Sequence, residues 1–217
     1  MIEEAEEAGE LKSLDANSLK QSLINFEKKI NRNQMMRMKY PNDPDKFMDS
    51  EIDLNSEIND LYALAASPEL YKLFVDNGSM EQLLGMLAHE NTDISICAIG
   101  LLQELTEPEL FVQCEEATCL LDSFLSSQGL ELVIQNLHRL DETNEEDATG
   151  VYNSLTIIEN LVTVKPAIAT IICSKTHMLT FLLERLSSKE FDSNKLYCTN
   201  NSGSVNSCRR PIAHMLI

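Results

Sequence analysis

The segment "MEQLLGML" at residues 80–87 returns in two further versions along the chain. These are "LELVIQNL" at 130–137 and "LTFLLERL" at 179–186, and the three align without gaps, with apolar residues at the first, fourth, fifth and last positions. Apolar residues spaced three and four apart form one face of an α-helix. A helical segment that returns about every fifty residues indicates a helical repeat protein.

The surroundings of these helices repeat as well. Each is followed by a polar loop, and the first two loops lead into a longer apolar helix, in which "LLQELT" at 101–106 aligns with "IIENLV" at 157–162. A short helix is predicted before each copy, at 67–78, 117–129 and 165–175. Three helices per unit favour the armadillo arrangement over the two-helix HEAT arrangement.

Proline and glycine mark the ends of the short helices. Pro68 and Pro166 stand where the first and third are expected to begin, since proline is tolerated in the first helical turn. Gly78 and Gly129 stand where a glycine cap is expected at the end of the first and second.

We predict an all-α, armadillo-like, right-handed solenoid of stacked three-helix repeats over residues 61–198, with the last repeat incomplete. Residues 15–60 are expected to form an N-terminal helical cap with a hinge at 40–50. The glutamate-rich residues 1–14 are expected to be a disordered acidic N-terminus. The Ser- and Asn-rich residues 199–217 are expected to form an irregular tail.

The first helix of the predicted cap has one apolar face and a proline stop. It is expected to end at Tyr40, because the residue before a proline avoids the helical conformation. Its apolar positions, spaced three or four apart, are Leu19, Leu23, Phe26 and Ile30.

The stretch "YPNDPDKFMDSEIDLN" at 40–55 is acidic enough to suggest a calcium loop. Counted from Asp43, the fifth and sixth positions are Phe47 and Met48, where an EF-hand needs an oxygen ligand and a glycine. The calcium interpretation therefore fails. Instead, four apolar residues are expected to be buried anchors of a turn and a following helix: Phe47, Met48, Ile52 and Leu54.

Net charge restricts the partners. The chain has 17 Lys and Arg against 35 Asp and Glu, a formal charge of −18. Such a surface repels a phosphate backbone, so direct nucleic-acid binding is not expected. Basic protein segments are natural partners, although acidity also serves solubility alone. Six cysteines, mostly single within apolar segments and without a signal peptide, are expected to be reduced thiols, and no segment is predicted to span a membrane.

No catalytic, cofactor-binding or metal-binding site is predicted. The four histidines are scattered, and the one Cys-His pair, Cys173 and His177, supplies only half of the four ligands that structural zinc needs. Cys119 or Cys173 would act as a nucleophile only with a base supplied by the fold, and the apolar surroundings of each are expected to raise its pKa.

The two long helices carry polar candidates for protein binding. These are Gln103 and Glu104 in the first helix, and Asn153, Glu159 and Asn160 in the second. Carboxylates there would accept charge-assisted hydrogen bonds from Lys or Arg of an extended peptide. The alternative is an ordinary solvated helix face. Because the chain has no Trp, recognition is expected to depend on charge and to weaken with salt.

One basic cluster stands out in this acidic chain. It is expected to be either an ordinary helix face or a patch that docks on an acidic surface of the same solenoid or of a partner. Its members are Lys28, Lys29, Arg32, Arg37 and Lys39.

Several long strings closely resemble the catenin-beta-like family of armadillo-containing nuclear proteins. They are "NFEKKINRNQMMRMKYPNDPDKFMDSEIDLN", "GMLAHENTDISICAIGLLQELTE" and "LERLSSKEFDSNKLYC", and the resemblance runs from about Leu19 to Cys198. It implies a nuclear, non-enzymatic scaffold linked to the spliceosome through the complex that contains the Prp-nineteen ubiquitin ligase. Members of the family bind basic, nuclear-localisation-type segments of splicing factors and of a cytidine deaminase.

The sequence departs from that family at both ends. Family members usually carry a basic, import-like segment ahead of the acidic run, and they continue through further repeats after "KLYC". We therefore expect a truncated or variant form.

Three functional hypotheses follow. The first is a non-enzymatic armadillo scaffold in the nucleus that binds proteins, expected to be splicing factors with basic segments, during pre-mRNA splicing. The alternative is an adaptor that recognises basic nuclear-localisation-type peptides for nuclear import. The third is an enzyme that uses Cys173 or Cys119.

Overall fold

The computed structural model describes residues 14–175, 178, 180–182 and 194. Over these residues the chain is helical and contains no strand. The α-helices are α1 (Ala16–Lys39), α2 (Met48–Asp60), α3 (Tyr71–Asp76), α4 (Ser79–Met86), α5 (Thr92–Leu105), α6 (Pro108–Gln113), α7 (Thr118–Ser126), α8 (Gly129–Leu137), α9 (Glu145–Val164) and α10 (Ile168–Lys175). Short 3-10 helices are formed by Pro44–Lys46, Leu61–Ala66, Pro68–Leu70 and Glu115–Ala117.

The described helices form the predicted armadillo-like stack. In the first unit α3, α4 and α5 follow one another, and in the second α7, α8 and α9 do the same. Corresponding helices pack together, α3 on α7 and α5 on α9, while α2 covers the other side of α5. The all-α, armadillo-like solenoid expected from the sequence is confirmed.

The repeated octapeptide forms equivalent helices in the two units. Residues 80–87 lie in and just after α4, and residues 130–137 lie in α8. All four patterned positions are buried in both copies. Of the third copy, 179–186, only 180–182 are among the described residues. The acidic segment before residue 14 and the tail at 199–217 also lie outside them.

Local signals explain where the helices begin. Asp15 caps α1, because its Oδ1 accepts hydrogen bonds from the backbone N–H groups of Asn17 (2.9 Å) and Ser18 (2.7 Å), and these bonds lower the pKa of its carboxyl. Asn91 caps α5 and Asn144 caps α9 in the same way. The equivalent long helices of the two units therefore start with the same device.

The turn between the first two helices of each unit shows one prediction to be wrong. Gly78 has a φ of 73° between α3 and α4, as expected of a glycine cap. Between α7 and α8 the left-handed residue is Gln128, with a φ of 59°, and Gly129 is already the first residue of α8. Gly129 is needed for space instead, because a Cβ there would lie 2.7 Å from the Phe124 ring.

Two of the four anchors expected after the first helix are not buried. Phe47 and Leu54 are buried, but Met48 is 51% and Ile52 is 60% exposed. Met48 and Ile52 lie one turn apart on a different side of α2 from Leu54, because six residues turn a helix by about 240°. The sequence prediction was wrong for these two residues.

Three of the five residues in the basic cluster of α1 form ion pairs with described residues, all of them to α2 within the N-terminal cap, and Arg37 also reaches the first repeat. Lys29 pairs with Glu57 of α2 at 2.7 Å, and Arg32 pairs with Asp53. The Arg37 guanidinium pairs with Glu51 and with Glu90 beyond α4, and it stacks 4.6 Å above the Phe47 ring. The N-terminal helices are thereby tied to the first repeat.

A buried polar network strengthens the same junction. The Asn33 amide donates to Ser50 Oγ at 3.0 Å, and its Oδ1 lies 3.0 Å from Nε2 of His89. The backbone N–H of Asn91 donates to His89 Nδ1 at 3.1 Å. Nδ1 therefore carries no proton, and Nε2–H donates to Asn33.

Helix α6 was not predicted. It begins at Pro108, three residues after the last residue of α5, and packs against α9. In the part of the chain that the structure describes, every helix is too short or too polar to cross a lipid bilayer.

Candidate protein-binding groove

Helices α2, α5 and α9 lie side by side and run in the same direction. Cys97 of α5 lies opposite Asn59 of α2, with its Sγ 3.5 Å from the Asn59 Oδ1, and the next turn of α5 faces Tyr62. Toward α9, Ile96 faces Gly150 and Gly100 faces Asn153. Residue numbers rise together across both contacts, so the three helices are parallel and their N-termini meet at one edge.

A cavity of about 450 Å³ runs across these helices, and we call it the polar groove. Three amides and two carboxylates are among its ten lining residues, and no Lys or Arg is among the described residues that form it. Its polar side chains include Asn55, Asn59, Asp93, Glu146, Thr149 and Asn153.

Tyr62 closes one end of the polar groove. Its hydroxyl donates to the carbonyl oxygen of Cys97 at 3.3 Å. Burial raises the pKa of Tyr62 to about 12, and the nearby Cys97 and Glu104 contribute, so the phenol stays protonated at neutral pH. Gly100 makes this arrangement possible, because any Cβ there would collide with the Tyr62 hydroxyl.

Three of the five predicted site residues gather around a residue that the sequence analysis did not select. Gln103 donates from its Nε2 to the Glu107 carboxylate. Glu104 and Asn160 also lie close enough to affect the same carboxyl. Burial raises the pKa of Glu107, the carboxylates of Glu109 and Glu104 raise it further, and the Gln103 and Asn160 amides oppose the shift. Carboxylates and amides are thus concentrated where α5 ends.

The other two predicted residues lie elsewhere on α9. Asn153 is half-buried and lines the polar groove. Glu159 is half-buried six residues later, which turns it by about 240° around the helix axis from Asn153. Asn160 is buried, and its amide nitrogen makes no hydrogen bond of standard geometry to a described residue. The structure therefore brings Gln103, Glu104 and Asn160 together, places Asn153 in the groove, and separates Glu159 from it.

Two groove residues of α2 were missed by sequence analysis. Asn55 and Asn59 are four residues apart and lie opposite Cys97. The sequence signal was present, since Asn55 ends the acidic stretch and Asn59 follows it one helical turn later, but that stretch had been interpreted as a turn and a following helix with apolar anchors. Their amides add donors and acceptors suited to a peptide backbone.

Cys97 and Cys119 do not resemble activated nucleophiles. Burial raises the pKa of Cys97 to about 11 and also raises that of Cys119, the reverse of the shift that produces a reactive thiolate. Cys173 is half-buried on α10, and His177, its proposed zinc partner, lies outside the described residues. No group of three or more His, Cys, Asp or Glu side chains among the residues placed by the structure could hold a metal ion.

A family model for catenin-beta-like, Arm-motif-containing nuclear proteins matches residues 1–201. Beta-catenin-like protein 1 of Rattus norvegicus and that of Homo sapiens are each 44% identical to this chain over 188 residues, which is 86% of the chain and 33% of the relative. The beta-catenin-like protein 1 homolog of Schizosaccharomyces pombe is 37% identical over 189 residues, covering 87% of this chain and 33% of the relative. The chain therefore spans about a third of the length of the curated relatives that it matches.

These findings confirm the resemblance noted in the sequence. The family is described as nuclear, so the nucleus is the compartment of this protein, as predicted. The match covers nearly the whole chain and agrees with the stacked three-helix units of the structure. The chain belongs to the catenin-beta-like family of Arm-motif-containing nuclear proteins.

Proposed function

We propose that this protein is a non-enzymatic armadillo scaffold that binds basic segments of other proteins within the spliceosome-associated complex, in pre-mRNA splicing. The observation that carries the proposal is the polar groove itself. Asparagine amides and unshielded carboxylates stand together on three parallel helices, without a Lys or Arg among the described lining residues. The link to splicing rests on the family resemblance.

The groove suits an extended basic peptide for two reasons. The amides of Asn55, Asn59 and Asn153 supply both donors and acceptors, which pair with the N–H and C=O groups of a peptide backbone. The carboxylates of Asp93 and Glu146 supply charge-assisted acceptors for Lys and Arg. The side-chain amides thus bind the backbone of the extended peptide, and the carboxylates select a peptide that is positively charged.

Affinity for a fluorescent lysine- and arginine-rich nuclear-localisation-type peptide, followed by anisotropy, tests the proposal. Glu146→Gln is expected to weaken binding about threefold to tenfold, the loss of one partly exposed charge-assisted contact. Glu145→Gln is the matched control, because Glu145 is the exposed neighbour in the same first turn of α9 but does not line the groove. Equal effects of the two variants would show that only overall charge matters.

A second pair of variants tests the amides. Asn59→Ala is expected to weaken the same peptide, whereas Asp60→Ala, at the exposed end of the same helix, is expected to have a smaller effect. Binding that survives Asn59→Ala and Asn153→Ala combined would place the peptide elsewhere.

The adaptor for nuclear import would use the same groove and differs in its partners. A pull-down from nuclear extract separates the two functions. Recovery of splicing proteins, lost in the Glu146→Gln variant, supports the scaffold. Recovery of import receptors together with assorted basic cargo supports the adaptor and contradicts the scaffold.

A further inference from the structure

Two large apolar side chains at the start of α2 are exposed to solvent and lie outside the hydrophobic core. Met48 and Ile52, one turn apart, are 51% and 60% exposed and line a pocket of about 410 Å³ between α2 and α5. Phe47 and Ile94, both buried, contribute to the same lining. We call this cavity the α2–α5 pocket. Its floor is apolar, and two of the apolar side chains that line it, Met48 and Ile52, remain exposed to water.

The rim of the α2–α5 pocket is acidic. Asp45 and Asp93 line it, are exposed, and form no ion pair with any described residue. Glu51 also lines it, but its carboxylate is already held by Arg37 and by the Asn91 amide at 2.9 Å. Asp45 and Asp93 are thus the two carboxylates left for a ligand.

Two cations beside the pocket, Arg37 and Lys46, already have partners among the described residues. Arg37 binds Glu51 and Glu90, as described above, and Lys46 binds Asp43 at 3.4 Å and lies 4.9 Å above the Tyr40 ring. The positive ends of α2 and α5 also point to this edge, and each amounts to about half an elementary charge. Two full carboxylates outweigh two such half-charges, and the exposed Asp49 of the first turn of α2 adds a third. The pocket therefore remains negative.

We propose that the α2–α5 pocket binds a short protein segment in which an apolar side chain is followed by Lys or Arg. The apolar side chain covers Met48 and Ile52 and lies above Phe47, while the cation reaches Asp45 or Asp93. The pocket adjoins the polar groove, with which it shares Asn55 and Asp93, but of the two only the pocket is lined by large apolar side chains that are exposed, Met48 and Ile52. This second site thus recognises a different feature of a partner, and because Asn55 and Asp93 line both cavities, Asp45, Met48 and Ile52 are the residues that distinguish it from the groove.

Charge and exposure argue for this occupant against others. Nucleic acid and anionic lipid surfaces are repelled by the acidic rim and by the charge of −18 on the chain. A purely apolar segment would leave Asp45 and Asp93 desolvated without partners, which is costly. A segment with both features satisfies the floor and the rim together.

The test uses the 217-residue chain labelled with ¹⁵N and three synthetic peptides of equal length. One has two leucines followed by two lysines, one has serines in place of the leucines, and one has glutamines in place of the lysines. The first is expected to shift the amide signals of residues 45–52 and 93–94, and the other two to bind there at least about tenfold more weakly. If the serine peptide shifts these signals as strongly as the leucine peptide, the apolar floor has no role and the proposal is overturned.

Matched variants locate the contact. Ile52→Ser is expected to weaken the leucine–lysine peptide about fivefold to tenfold, the loss expected when about half of an isoleucine side chain no longer leaves water. Ile24→Ser, at an exposed isoleucine of α1, is the control for the loss of an exposed apolar side chain. Asp45→Asn removes a carboxylate of the rim and is expected to weaken the same peptide, and Asp60→Asn is the control for the loss of one charge elsewhere. Equal affinity of the Ile52 and Ile24 variants would overturn the proposal.

The outcome separates this pocket from the groove. Binding of the serine–lysine peptide at Asn59 and Asn153, with no peptide at residues 45–52, would leave the groove function standing and sink the pocket. Shifts at residues 45–52 that appear on raising the protein concentration alone, and that the leucine–lysine peptide does not reverse, would assign the surface to a second copy of the chain and also overturn the proposal.

Discussion

At the scale of single residues, Asn136 is buried on α8 without any use of its amide. The residue is 1% exposed, and neither its Oδ1 nor its Nδ2 has a hydrogen-bond partner among the described residues. Replacing such a group with an apolar one of similar size removes a desolvation penalty. We expect Asn136→Leu to raise the free energy of unfolding by about 1 kcal/mol in urea titrations. Gln135→Leu, at its exposed neighbour, is expected to change it little, and a destabilised Asn136→Leu variant would show that the amide is satisfied in solution.

His89 links the N-terminal helices to the first repeat while its imidazole is neutral. Burial lowers its pKa and the Arg37 charge adds to the effect, while the Asn91 carbonyl and the carboxylates of Glu51 and Glu90 oppose it. Below the usual histidine pKa of about 6.5, the unfolded chain takes up a proton that the folded chain refuses. Stability is therefore fully present above that value and decreases as the pH falls from it toward the lowered pKa.

Proton NMR of the His89 ring should give a titration midpoint below the usual histidine value of about 6.5. Urea titrations between about pH 7 and about pH 5 should show a steeper loss of stability in the wild type than in His89→Gln, because glutamine takes up no proton. A wild type and a His89→Gln variant with the same pH dependence would contradict the assignment of a neutral, buried imidazole.

At the scale of elements, α4 and α8 are equivalent helices that use glycine differently. Gly85 lies inside α4 with open space around the position of a Cβ, whereas a Cβ on Gly129 would lie 2.7 Å from the Phe124 ring. Gly85→Ala should stabilise the protein by up to about 1 kcal/mol through helix propensity. Gly129→Ala should destabilise it by about 1–3 kcal/mol through overpacking. Thermal unfolding of both variants checks the pair, and shifts in the same direction would contradict this reading of the two helices.

The repeat pattern predicted these helices because the buried positions recur at the same spacing as the apolar residues of the octapeptide. Positions 80, 83, 84 and 87 are buried, as are 130, 133, 134 and 137, so the octapeptide reflects core contacts made inside both described units. The turn before α8 was misplaced by one residue because packing against Phe124, rather than backbone conformation, demands Gly129. Helix α6 was missed because six residues are too few to display a helical period.

The candidate site was less predictable than the helices. Gln103 and Glu104 were found because they follow the alignment of the long helices, and the structure does place them beside Asn160. Glu107 was missed because it lies beyond the end of α5, and only the turn into α6 at Pro108 brings it back to Gln103. Met48 and Ile52 were expected to be buried because apolar character alone does not say which side of α2 faces the core.

At the scale of the whole molecule, an excess of 18 negative charges opposes compact folding. The described ion pairs act in the other direction, but most are exposed and each is worth only about 0–1 kcal/mol. Screening by salt should therefore weaken the repulsion among the excess negative charges more than it weakens the attraction within the ion pairs. The melting temperature is expected to rise when NaCl increases from about 20 to about 200 mM, a range over which the Debye length falls from about 20 to about 7 Å.

The same change in salt should act oppositely on binding. Attraction between the acidic polar groove and a lysine- and arginine-rich peptide is screened, so its affinity should fall while the melting temperature of the free protein rises. Differential scanning calorimetry and anisotropy on one salt series measure both quantities, and Glu146→Gln should flatten the binding curve without flattening the stability curve. A melting temperature that falls with NaCl would mean that local ion pairs such as Lys29–Glu57, and not the net charge, dominate the electrostatics of the fold.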